Sequence, residues 1–408
     1  MADTIAADVC VVGAGPVGGT LACRLAASGI TTVVVDQAAL PPMAHPAFDG
    51  RAYAIAAGSR PLLVDAGLWA RLPDPPNPIM DIRVTDGRIG RRASRLHLHF
   101  DHREASDDPG PFGWMVEARG LRRALNAHMQ RLEHLRVFAP ANVRVECSDK
   151  GAHVRVDGGP VISCGLVIAA EGRNSPTRDA ADIPVTRFDY GQTGIVCAIG
   201  HGLPHHDVAL EHFLPSGPFA VLPMAPNEDA ETGGTPHVSA VVWTERTRIA
   251  ETMLRLDDVR FAREIRRRLG DHLGPVRMLG RRWNFPLSAM LAHRYVDTRL
   301  ALAGDAAHGI HPIAGQGLNL GFRDAIELAR LVIEAAQAGE DVGSPELLAR
   351  YQRARRPDNL AMLTITDGLD RLFSTNHPAV RLARDRGIAA ADRLSALKRV
   401  FMRRAMEP

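Results

Sequence analysis

Aromatic residues make up only 5% of this 408-residue chain, and it has no Arg/Gly-rich or RNP-like tract. Nucleic-acid surfaces need bases stacked on aromatics in a basic field, and a formal net charge of +3 supplies little of that field. Cysteine is scarce too. Cys10, Cys23, Cys147, Cys164 and Cys197 are odd in number and share no metal-ligand or redox spacing. Cys10 and Cys164 fall in apolar runs, so they read as small core residues in a reducing compartment. No run reaches the roughly 18–20 apolar residues of a membrane span. The N-terminus shows no basic region followed by an apolar signal core. These absences give the expectation of a cytoplasmic protein, soluble or at most resting on a membrane surface.

What is present is apolar patterning: 46% of residues are hydrophobic, enough for a large core and more than one domain. Val9–Val12 reads as a buried strand, followed by Gly13-Ala-Gly15-Pro16-Val-Gly18-Gly19. A helical pattern through Leu21, Leu25 and Ala26 then stops at Gly29, and Thr31–Val35 forms a second β-branched run ending at Asp36. Proline-dense residues 73–78 suggest a crossing into a second domain. Beyond it, Ile82–Thr85 and Leu96–Phe100 alternate as half-buried strands. Residues 119–132 read as a helix and Val161–Ala170 as a buried strand. Several short strands follow in 190–245, including Gly194–Ile199 and Val238–Trp243, with a loose polar segment at 227–236. Leu300–Ala303 is a short strand, a long helix opens at Gly317, and the last 60 residues look helical.

The glycines fit G-x-G-x-x-G, and each has a physical reason. Gly13 permits a tight turn out of the strand, Gly15 lets backbone approach a pyrophosphate, and Gly18 lets helix and strand pack closely. The helix N-terminus after Pro16 presents unpaired amides to phosphate. Asp36, 18 residues beyond Gly18, is placed to accept hydrogen bonds from ribose hydroxyls. The expected fold class is α/β (α+β overall), with a Rossmann-like dinucleotide domain interleaved with a β-sheet domain, and a helical C-terminus. This motif alone does not separate FAD from NAD.

The second motif is Leu300-Ala-Leu-Ala-Gly304-Asp305, continuing through His308, His311, Pro312, Gly315, Gly317, Leu318 and Asn319 to Asp324. A carboxylate at the end of a strand can bind polyol hydroxyls. Glycines flanking a helix start can aim amides at a ring system carrying negative charge. His308 and His311 suggest a metal pair only weakly, since no carboxylate or cysteine completes a ligand set, and no metal is expected.

This second segment resembles the Gly-Asp motif of the FAD-dependent aromatic hydroxylases, the group of para-hydroxybenzoate hydroxylase. The resemblance implies FAD, with Asp305 at the ribityl region and Pro312, Gly315, Gly317, Leu318 and Asn319 around the isoalloxazine. Glu171-Gly172-Arg173-Asn174-Ser175-Pro-Thr-Arg178 resembles the family's D-G-x-x-S-x-x-R motif. Glu171 stands where aspartate is usual, while Gly172, Ser175 and Arg178 match. Arg51, in the run Asp49–Ser59, resembles an arginine leaning on the FAD, and Arg119 a second one. For each arginine a surface salt bridge is the other reading.

Further runs resemble the ubiquinone-biosynthesis hydroxylases within that group: Tyr190–Ile195, Glu211–Pro223, Val241–Trp243, Phe285–Leu287, Tyr351–Arg356, Leu372–Ser374 and the closing Arg404-Ala405-Met406. The resemblance spans nearly the whole chain. It implies a monooxygenase that uses NAD(P)H and O2, through a flavin C4a-hydroperoxide, to hydroxylate a polyprenylated phenol or benzoquinol. The chain carries one dinucleotide fingerprint, which fits nicotinamide as a transient co-substrate. Trp283-Asn-Phe-Pro departs from the flavin-halogenase tryptophan motif. The other readings are a hydroxylase of a smaller aromatic, a prenyl-chain reductase, and a non-catalytic FAD-bound scaffold of the biosynthetic complex.

The implied organisation is a discontinuous FAD-binding domain (1–75, 115–185 and 285–345), a sheet-rich substrate domain (76–114 and 186–284) and a C-terminal helical region (346–408). Residues 351–408 hold 12 Lys/Arg against 6 Asp/Glu. They include an amphipathic helix candidate, Val380–Met402, suited to a solvated helix, to a partner of the ubiquinone pathway or to peripheral contact with the inner membrane.

Overall fold

The structure is a computed structural model that describes residues 3–40, 50–87, 89–90, 97–104, 110–226 and 235–374. Val380–Met402, most of the 227–236 segment, Leu96 and Asp49 lie outside the described residues.

The first sheet is built on parallel strands because their sequences are apolar without alternation, as burial on both faces demands. Its order is β17 (Val296–Asp297), β18 (Leu300–Leu302), β11 (Val161–Ala169), β1 (Thr4–Val12), β2 (Thr32–Val35) and β8 (Leu135–Phe138). β18, β11, β1, β2 and β8 run parallel, and β17 turns back along β18. A hairpin of β9 (Val143–Ser148) and β10 (Gly151–Val156) extends β11 antiparallel. Its alternating burial marks one solvated face. Helices α1 (Pro16–Ala27), α3 (Ala118–Met129), α7 (Gln316–Ala338) and α8 (Pro345–Ser374) cover this sheet and share its main core.

The second sheet has the order β19 (His308–Gly309), β16 (Val276–Ala292), β12 (Val185–His201), β15 (Val238–Arg246), β14 (Gly217–Met224), β13 (Val208–Leu214), β5 (Asp81–Asp86) and β6 (His97–Asp101). Helices α5 (Thr247–Leu254) and α6 (Asp258–Leu269) close one face around Ile195, Cys197, Phe219, Trp243, Phe261 and Ile265. The opposite face, carrying Ala198, Ala209, Met224 and Ala240, meets a small third sheet. That sheet is β3 (Ala52–Ala56), β7 (Gly113–Glu117) and β4 (Asn77–Ile79), all antiparallel. The proline-dense segment thus leads into β4, and the second sheet begins at Asp81. Two short helices, α2 (Arg60–Asp65) and α4 (Pro176–Ala180), finish the described set.

The 17-residue strands β12 and β16 tie the sheets together. The β16 end pairs through Met290 and Leu291 with β19, inside the Gly-Asp segment. The candidate site therefore sits between the two large sheets.

Candidate functional site

The glycine turn follows directly from where a β-carbon would go. At Gly13 (φ +107°) it would collide with the Ala170 carbonyl, and at Gly18 with the Gly13 carbonyl and the Ala170 side chain. Both glycines therefore let α1 and its turn sit against the end of β11. At Gly15 a β-carbon would meet nothing within 4 Å. Gly15 caps α1 with no side-chain hydrogen bond, and no acidic side chain stands in the first turn. An uncapped, electropositive helix start thus faces open space. Asp36 stands at the edge of this turn, accepting from the Ala14 amide at 2.6 Å and the Ala38 amide at 2.7 Å.

The Gly-Asp segment makes the second half of the site. Gly304 (φ +60°) lies against Val17 of α1, where its β-carbon would be 3.4 Å from a Val17 methyl. Gly321 of α7 is closer still, and a β-carbon there would strike Val17. Two motifs remote in sequence are therefore in van der Waals contact. Gly315 adopts the left-handed conformation (φ +63°) at the start of α7, again with no side-chain cap, and a β-carbon at Gly317 would meet open space. Pro312 leads the short turn Ile313–Gly315, and Leu318 is half-buried in the first turn of α7. Buried Asn319 stitches α7 to β3. Its amide donates to the Ala54 carbonyl at 2.9 Å and its oxygen accepts from the Ala56 amide at 2.9 Å.

A buried polar hub holds this second half. The Asp324 carboxylate, fully buried on α7, accepts from the Gly304 amide (3.0 Å), His308 Nε2 (2.6 Å), Arg355 Nε (2.9 Å) and Asn359 (3.2 Å). Burial alone would raise its pKa, but His308 and Arg355 outweigh that and hold it below the ordinary value of 3.8. Asp305 pairs with Arg173 at 3.0 Å, and Arg173 also donates to the Ser288 carbonyl at 2.9 Å. His311 is turned elsewhere, toward Gln192 at 3.2 Å and edge-on to Tyr190. Burial pushes its pKa down to about 4.

The other residues that the motifs single out take several positions. Gly172 follows β11 with φ +84° and open space at its β-carbon. Glu171 is occupied locally, accepting from the Ser175 hydroxyl at 2.5 Å and the Thr177 amide at 3.2 Å, which ties down the start of α4. Arg178 is fully buried and donates to the Arg173 and Ala306 carbonyls at 3.0 and 3.2 Å, bracing the Gly-Asp turn from below. The Arg51 guanidinium stacks 4.2 Å over the Trp283 ring. Arg119 pairs with Glu117 at 2.9 Å, with both side chains largely buried. The motifs do not point to Arg122, whose guanidinium reaches the glycine turn and donates to the Ala14 carbonyl at 3.2 Å. Helical spacing carries the signal, because Arg122 lies three residues, one turn, beyond Arg119. Nor do they give a role to Arg173 or Asp324.

The arrangement fits a dinucleotide with a ring at its far end: two uncapped helix starts, two glycines open where a β-carbon would otherwise fill the space, and a carboxylate beside each. The profile of the FAD binding domain family matches residues 6–366. The chain belongs to the FAD binding domain family. Its curated relatives in this family include the ubiquinone hydroxylase UbiL of Rhodospirillum rubrum, 46% identical over 98% of this chain and 89% of that protein. The 3-demethoxyubiquinol 3-hydroxylase of Escherichia coli is 32% identical over 98% of both chains. Among solved structures, the p-nitrophenol 4-monooxygenase PnpA of Pseudomonas putida superposes with a TM-score of 0.77 at 19% identity, covering 98% of this chain and 97% of that one. The mixed α/β architecture is that of the family's FAD-dependent hydroxylases.

Proposed function

We propose that the chain is an FAD-dependent monooxygenase that hydroxylates the aromatic ring of a polyprenylated phenol or benzoquinol in ubiquinone biosynthesis, with NAD(P)H and O2 as co-substrates. The observation that carries this is the contact of the two glycine motifs through Val17, Gly304 and Gly321, which makes one cradle from both. The relatives named for ubiquinone hydroxylation, matched over nearly the full chain, support the substrate class.

In this reading Gly13, Gly15, Pro16 and Gly18 present α1 to the pyrophosphate, and Asp36 takes the ribose. Arg122 adds positive charge at the same turn. Asp305, steadied by Arg173, takes the ribityl chain. Pro312, Gly315, Gly317, Leu318 and Asn319 hold the ring over the start of α7, whose amides favour negative charge there. Arg51, Arg119 and Gly172 line the approach. When bound, FAD supplies the electron transfer from nicotinamide and the activation of O2. The chain's own task is to orient the substrate ring and keep water out, and the apolar face of the second sheet suits that task.

The domain division is part of the reading: 1–75, 115–185 and 285–345 for FAD, 76–114 and 186–284 for substrate, and 346–408 as a helical region. So is contact of the basic stretch 351–408 with a partner of the pathway or the inner membrane, supported by its 12 basic against 6 acidic residues. No described helix is long and apolar enough to cross a membrane. Deleting the gene and analysing lipid extracts tests the function. A build-up of one under-hydroxylated polyprenyl phenol is expected, and normal quinone levels would refute it.

A further inference from the structure

One carboxyl on the inner face of the second sheet has no structural task. Side chains alternate along β13. Leu210 and Leu214 pack toward α5 and α6, whereas Ala209 and Phe213 face the other way, toward the flavin cradle. Glu211 lies between Ala209 and Phe213 and shares their face. Its register partners there are Val84 of β5 and Ala220 of β14. Ala209 belongs to the cluster formed with Ile79 and Met115 of the small third sheet. Phe213 belongs to a different cluster, stacking on Phe373 of α8 at 3.9 Å and packing with Ile313 of the turn before α7. Glu211 thus falls between two covers, one contributed by β4 and β7 and the other by α8 and the Ile313 turn.

The residue is only 8% exposed and, among the described residues, makes no hydrogen bond or ion pair. Burial alone pushes its pKa up to about 8, with no charged neighbour contributing. A carboxyl kept in an apolar wall without a partner costs stability, and folding gains nothing from it. The neighbours that the sequence puts on its face (Val84, Ala209, Phe213 and Ala220) are all apolar. Beside Glu211 a ligand would therefore meet hydrocarbon, the next carboxyl on that face being the buried Asp86, opposite Phe213 and engaged in interactions of its own.

We propose that Glu211 is the polar anchor of the substrate site, accepting a hydrogen bond from the ring hydroxyl of the prenylated phenol while the surrounding apolar wall takes the ring and the start of its chain. This rests on the function proposed above. A single buried hydrogen bond at the ring end would fix which edge of the ring faces the flavin cradle.

The test uses FAD-loaded enzyme and two probes, ortho-geranylphenol and its methyl ether, titrated by the change in flavin absorbance. The wild type should bind the phenol at least about 10-fold more tightly than the ether, the value of one buried hydrogen bond. E211Q keeps an acceptor in the same place and should keep most of this preference. E211L should bind both probes equally, while its melting temperature equals or exceeds that of the wild type, because an unpaired buried carboxyl has been replaced by hydrocarbon. Equal binding of phenol and ether by the wild type, or a preference surviving in E211L, would overturn the assignment. So would a marked fall in the E211L melting temperature, which would make the residue structural. If the wild type hydroxylates the phenol but shows no preference over the ether, the anchor falls and the proposed function stands. If neither probe binds and no prenylated phenol is turned over, both fall.

Discussion

Replacing Asp324 with alanine tests how the second half of the cradle is held. Four donors converge on this fully buried carboxylate: the Gly304 amide, His308, Arg355 and Asn359. Asp324→Ala would leave the 9%-exposed Arg355 side chain facing a void, with Asp358 at 2.9 Å as its remaining carboxylate. Removing one member of a buried ion pair costs about 3–5 kcal/mol. For a chain of this length that is a drop of roughly 3–6 °C in melting temperature, scaling the entropy of unfolding with length. The Gly304 turn would loosen too, so FAD should dissociate before the global transition. Circular dichroism and flavin fluorescence in the same thermal ramp read the two events. The pH dependence has a definite sign. Because Asp324 is held below its ordinary 3.8, its contribution is fully present at neutral pH and is lost as pH falls below about 4 through the lower native value. The gap between wild type and variant should therefore close in acid. A melting temperature within about 1 °C of wild type at pH 7, or a gap that widens in acid, would refute the reasoning.

Three further outcomes are expected. Gly15→Val should leave the apoprotein's stability within about 1 kcal/mol, since its β-carbon meets nothing. It should abolish FAD retention, read from the absorbance ratio of purified protein, whereas Gly18→Val should destabilise the apoprotein itself by a measurable shift in urea midpoint. Asn319→Ala orphans the Ala54 carbonyl and the Ala56 amide and should cost about 2–4 kcal/mol by chemical denaturation. Arg173→Ala breaks a half-exposed pair with Asp305, so stability should change by less than about 1 kcal/mol. FAD affinity should nevertheless fall several-fold in a fluorescence titration, because Asp305 loses its support.

Much of the nucleotide half is legible in the sequence because its determinants are local. The run from Val9 to Asp36 shows a strand, glycine turn, helix and strand within one window, and the structure has β1, α1 and β2 there. The Gly304–Asn319 segment is also contiguous, so its turn and the start of α7 near Gly317 can be read. The second sheet is harder. Gly194–Ile199 reads as a short strand, yet β12 runs from Val185 to His201. Its first half is exposed, and a register shift between Asp189 and Thr193 breaks the alternation that reveals a strand. Arg178 is singled out by its motif alone, but it is buried, and besides the neighbouring Asp179 it donates to the Arg173 and Ala306 carbonyls, partners that no spacing discloses. The same holds for Asp324, whose ligands come from residues 304, 308, 355 and 359. Arg122 carries a spacing signal, one turn beyond Arg119, but spacing alone does not show that this side of the helix meets the glycine turn.

Isotope tracing tests the central claim most directly. The FAD-loaded protein would be supplied with NAD(P)H, a prenylated phenol and labelled dioxygen, and the product analysed by mass spectrometry. One labelled oxygen atom on the aromatic ring is expected, with one NAD(P)H consumed for each. Oxidation of NAD(P)H without a labelled ring product, or a product reduced in its prenyl chain, would contradict the account.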